Sequence, residues 1–115
     1  MYTKDEIEVK LEYLESIFEK YGAVPLNINE KNMEKFHQRK IYQYKDNYYR
    51  VDSADFEDNG EIFLVLSSTD EKKYADIGLL EDIDAFSAGM SDEQLEKQVR
   101  YVLGIEPYPE DYAQK

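Results

Sequence analysis

Ile41-Tyr42-Gln43-Tyr44-Lys45-Asp46-Asn47-Tyr48-Tyr49-Arg50-Val51 alternates apolar and polar side chains on either side of Asp46-Asn47. Asp and Asn tolerate positive φ angles, so this pair suits a two-residue hairpin turn. With the turn there, Lys45 pairs with Tyr48, Tyr44 with Tyr49, Gln43 with Arg50 and Tyr42 with Val51. One face then carries Tyr42, Tyr44, Tyr49 and Val51, and the other Gln43, Lys45, Tyr48 and Arg50. A slip by one residue would destroy that separation, so the pattern predicts an antiparallel pair with its tyrosine face on a core.

Working outward, Asp58-Asn59-Gly60 reads as a second turn and Ile62-Phe63-Leu64-Val65-Leu66 as an interior strand. The acidic stretch from Leu79 to Phe86 follows as a further extended segment. Helices are predicted at both ends. Thr3 and Glu6 form a capping box, with Tyr2 placed to staple onto Ile7. Ile7, Leu11, Leu14, Phe18 and Tyr21 then make one apolar stripe, which Gly22 and Pro25 end. Ser91 and Gln94 repeat the capping box before Leu95, Val99 and Val102 or Leu103, with Gly104 as the stop. Ser68 with Glu71 would cap a short helix through Tyr74 and Ala75, ending near Gly78. Asn29 would cap another, with Met33 and Phe36 inward and Lys31, Lys35 and Arg39 outward; this basic cluster reads as charge compensation in preference to a phosphate site. The expected fold class is α+β, an antiparallel sheet of three to four strands with an N-terminal and a C-terminal helix packed on one face. Residues 1–115 are expected to form a single domain, with 106–115 an extended Pro/Tyr tail.

The charge is segregated. Between Asp52 and Glu96 there are fourteen acids against two bases, Lys72 and Lys73, and this excess equals the net charge of −12 of the whole chain. Self-repulsion of this size opposes compaction, so it points to solubility or to a positively charged partner. Sixteen aromatics (eleven Tyr, five Phe) argue against disorder. The absence of cysteine excludes a disulfide framework, a thiolate nucleophile and cysteine-ligated zinc. No apolar run reaches the length of a membrane span, and the N-terminus lacks the order of a secretory signal, so a cytoplasmic location is expected. The acidic balance argues against direct nucleic-acid binding and against anionic membranes.

Catalytic constellations are lacking. His37 is the only histidine, no nucleophile-elbow pattern surrounds any serine, and the five glycines are too isolated for a phosphate loop. Carboxylate pairs are abundant but none stands out as an acid/base couple. Aligned on Gly60, Asp55, Glu57 and Asn59 fall at calcium-loop positions, yet the twelfth position is Leu66 and strand patterns flank the segment. We therefore expect no enzyme activity, no cofactor and no metal site. The acids read instead as a recognition surface, Asp55, Glu57, Asp58, Asp76, Glu81, Asp82 and Asp84, with Tyr74 and Phe86 supplying contact area.

Residues 60–103 resemble small acidic bacterial immunity proteins of polymorphic-toxin systems. The similar features are the apolar strand Gly60–Leu66, the segment Glu71-Lys72-Lys73-Tyr74-Ala75-Asp76-Ile77-Gly78, the step Glu81-Asp82-Ile83-Asp84, and the Ser-capped helix from Ser91-Asp92-Glu93-Gln94-Leu95. The resemblance implies a cytoplasmic protein that binds one cognate toxin domain, commonly a basic nuclease, and brings no catalytic residues with it. A phage-type inhibitor or nucleic-acid mimic acting on a DNA-binding protein uses the same electrostatics, and an acidic adaptor domain without inhibitory activity is a third reading.

Overall fold

A computed structural model describes residues 3–26, 39–56 and 61–107. Tyr2, the segment from Asn29 through His37, the Asp58-Asn59-Gly60 turn, and all but the start of the expected tail lie outside the described residues, as do Glu57 and Asp58.

The chain runs α1 (Lys4–Lys20), β1 (Val24–Pro25), β2 (Tyr42–Tyr44), β3 (Asn47–Phe56), β4 (Glu61–Thr69), α2 (Lys72–Asp76), β5 (Glu81–Ser87) and α3 (Asp92–Val102). The strands form one antiparallel sheet in sequence order, β1-β2-β3-β4-β5. This is the expected α+β architecture with five strands. The additional strand is two residues long, and Pro25 fits there because an edge position requires no backbone donor.

Both capping boxes form. Thr3 accepts from the Glu6 amide at 3.1 Å, and Ser91 from the Gln94 amide at 3.2 Å. Each such cap contributes about 1 kcal/mol. The apolar stripe of α1 and the buried side of α3 lie on one face of the sheet. There Ile7, Leu11, Leu14, Ile17 and Phe18 meet Leu95, Val99 and Leu103 above Tyr42, Tyr49, Val51, Leu64, Leu66 and Phe86. Polar contacts tie the helices together at their ends: Lys20 and the Tyr21 hydroxyl both bond Glu96, and Arg100 reaches the Tyr21 oxygen.

The hairpin corrects the expected register. Tyr42 lies opposite Tyr49, Gln43 opposite Tyr48 and Tyr44 opposite Asn47, so the turn is Lys45-Asp46 and Lys45 takes the positive φ, 53°. The pairing moves by two residues, which takes Lys45 into the turn and leaves the paired side chains on their expected faces. The gain lies in packing, because Tyr42 and Tyr49 come side by side beneath Phe18. Their ring centroids lie 6.1 and 5.5 Å from that of Phe18. Aromatic contacts of this kind contribute about 0.5–1.5 kcal/mol each, enough to place a lysine in the left-handed region.

The second face of the sheet is not simply polar. Tyr48, expected among the polar set, is buried with Ile41 and Ala75 beneath α2. Arg39 is not a solvated compensating charge either. Its guanidinium clamps two carboxylates of α1, Glu8 at 2.7 Å and Glu15 at 2.6 Å. Ser68 does not cap α2, because β4 continues through Thr69 and Glu71 stands at the cap without a side-chain bond.

Candidate functional site

α2 hangs from the end of β4 and closes on Gly78. The Leu79 amide donates to the Tyr74 carbonyl at 2.8 Å and the Gly78 amide to the Ala75 carbonyl at 3.0 Å. This paired closure needs a left-handed residue at its corner, and Gly78 supplies it with φ 71°. The closure brings Leu79 back beside Tyr74. Arg50 then fastens the connection to the sheet, donating from Nη1 to the Gly78 carbonyl at 2.9 Å and from Nε to Asp52 at 3.1 Å. Burial holds the Asp52 carboxyl above its ordinary range even with Arg50 alongside to lower it.

β5 forms an edge of the sheet. Its register with β4 shifts between Leu66 and Ser67, where Leu66 faces Asp84 but Ser67 faces Asp82. The bulge leaves Ile83 without a partner and turns it outward. Asp82 anchors the irregular step by accepting from the buried Ser67 hydroxyl at 2.7 Å. Further along, the Ala88 amide donates to the Ile62 carbonyl, so the residues facing β4 are Ala88, Phe86 and Asp84, and the Ala85 amide points away from the sheet. That amide is taken by the Asp84 carboxylate at 2.9 Å.

Between these elements lies an open groove of about 600 Å³, lined by Ser68, Thr69, Asp70, Glu71, Tyr74, Leu79, Glu81 and Ile83 together with Asn47. Its apolar members are exposed, Tyr74 by 37%, Leu79 by 59% and Ile83 by 51%. The two bases of the acidic block lie on α2 and are already engaged: Lys72 pairs with Asp76, and Lys73 approaches Glu71 and lies over the Tyr74 ring. Among the described residues no cation pairs with Asp70, Glu81, Asp82 or Asp84.

The fold thus brings Tyr74, Glu81, Asp82 and Asp84 to one end and edge of the sheet, with Asp76 on the adjoining helix. Asp55 lies far along β3, opposite Ile62. Phe86 was expected on the recognition surface, and the structure overturns this. It is 3% exposed, sits opposite Leu64 and belongs to the core under α1 and α3. Leu79, Ile83, Asp70 and Arg50 were not singled out from the sequence. Arg50 had a signal, because Asp52 two residues on shares its strand face; the reach of Arg50 to Gly78 had none.

Among the described residues, no group of three or more His, Asp or Glu side chains is placed to hold a metal ion, and no helix is long and apolar enough to cross a membrane. No protein-family model, curated protein or solved structure matches the chain.

Proposed function

We propose that this protein is a non-catalytic acidic binding protein, a cytoplasmic immunity protein that neutralises a cognate cationic toxin, of nuclease type, by covering it with the face built from α2 and β5. The observation that carries this reading is the set of carboxylates left without cations, Asp70 and Glu81 lining a preformed groove and Asp82 and Asp84 beside it on β5. A nuclease must present cationic groups to hold phosphates, so a fixed acidic face can attract it quickly and compete for the same surface. The resemblance of residues 60–103 to immunity proteins falls on the elements that make this face.

The test is capture of the partner from the native cell followed by binding kinetics. Association should slow steeply as salt rises to physiological strength, where the Debye length is about 8 Å. Reversing Asp70 and Glu81 to Lys should slow it about tenfold or more, whereas reversing Glu12 and Glu19, exposed on α1, should have little effect. These two α1 positions are the proper control, since Glu8 and Glu15 are committed to Arg39. Binding that is indifferent to salt and to Asp70 and Glu81 would end the proposal.

A further inference from the structure

We propose that the groove is an anchor pocket for a single apolar side chain carried on a Lys- and Arg-rich segment of the partner protein. This rests on the reading of the protein as an acidic binder and adds what holds the complex once charge has brought it together. Among the described residues seven large apolar side chains are exposed, and four of them, Tyr74, Ile77, Leu79 and Ile83, fall within ten residues of sequence. Three of these four line the groove. An exposed apolar cluster of this kind, rimmed by polar groups, is the composition of an interaction site.

The groove is held open by the fold. Tyr74 and Leu79 are set by the closure of α2, the connection is pinned by Arg50, and Ile83 is turned out by the bulge. Preorganisation spares the ordering cost of binding. Asp70, Glu71 and Glu81 form the wall of the same cavity, so an incoming apolar group must be flanked by cations. A second copy of this chain is a poor occupant, because it would bring its own net charge of −12 against the same rim. Strand addition to β5 is also disfavoured, since the Asp84 carboxylate already holds the outward Ala85 amide. What fits is a basic segment with an aliphatic or aromatic anchor. Steering by the acids sets its on-rate, and burial of the anchor sets its residence time.

The experiment uses two blocked peptides, each with three Lys on either side of a central residue, Phe in one and Gly in the other. They are titrated into the full chain at physiological salt and followed by amide chemical shifts. The Phe peptide should bind about tenfold more tightly than the Gly peptide, with its largest shifts at Tyr74, Leu79 and Ile83. The double variant Leu79→Ser with Ile83→Thr changes only exposed side chains and should keep the wild-type spectrum elsewhere. It should bind both peptides as weakly as the wild type binds the Gly peptide. Equal, salt-dependent binding of the two peptides by the wild type would overturn the anchor while leaving the acidic-binder reading in place. Binding of neither peptide would also overturn it, and capture of the native partner then decides separately whether the broader reading survives. A dimer in sedimentation that the double variant dissociates would overturn it too, by giving the groove to a second copy.

Discussion

Replacing Phe86 by alanine separates a core residue from a surface one and tests the placement of β5. Phe86 is 3% exposed, pairs across β4 and β5 with Leu64, and lies in the cluster closed by α1 and α3. Truncating a fully buried Phe to Ala removes its transfer energy and leaves a cavity, at a cost of about 3–5 kcal/mol. A chain of 115 residues has a total stability of about 6–17 kcal/mol. The variant should therefore remain folded when cold but melt about 10–20 °C lower. Tyr74→Ala, by contrast, removes a side chain that is 37% exposed and should move stability by no more than about 1 kcal/mol. Circular dichroism melts with urea titrations of the two variants decide the matter. If Phe86→Ala melts within about 3 °C of wild type, Phe86 is not packed beneath the helices, and the assignment of the faces of β5 is wrong.

Lys45→Gly should stabilise the protein by about 0.5 kcal/mol, because the relief of a left-handed lysine slightly exceeds the added freedom of glycine in the unfolded chain. A urea titration showing a loss of about 1 kcal/mol or more would contradict the observed turn at Lys45-Asp46. Glu96 gives a pH-dependent prediction. Hydrogen bonds from Lys20 and Tyr21 hold its carboxyl below the ordinary value of 4.5, so its contribution is present above that value and is lost as pH falls through the folded-state value. Glu96→Gln should therefore narrow the difference in melting temperature from wild type as pH is lowered from 7 to about 3, and a difference that grows on acidification would refute the pairing.

Local chemistry in the sequence marked the helix ends well, because caps and terminal glycines are satisfied within a few residues. Thr3, Ser91, Gly22, Gly78 and Gly104 all act where the pattern placed them. The hairpin shows where pattern stops. Alternation has a period of two, so a shift of two residues preserves every face and is invisible to it. Only the stacking of Tyr42 and Tyr49 under Phe18, 24 residues from Tyr42 in the chain, distinguishes the two registers. The acidic strand misled for a related reason. Alternation puts Phe86 on the same face as Asp84 but does not say whether that face is core or surface. Pairing opposite Leu64 beneath α1 and α3 makes it core, while Ile83, skipped at the bulge, is exposed. The groove depends on that bulge and on Arg50 reaching a carbonyl 28 residues away, neither of which leaves a local signature.

The carboxylate of Asp84 on the Ala85 amide bears on how the molecule keeps company with itself. An edge strand is a template that can copy itself from chain to chain, and the hazard grows with the amount of protein a cell stores. Here one outward donor, the Ala85 amide, is occupied from within its own strand, and the neighbouring carboxylates repel an approaching edge of like composition. An edge stoppered in this way is a poorer template for strand-to-strand copying at high protein concentration than one with all its outward amides bare.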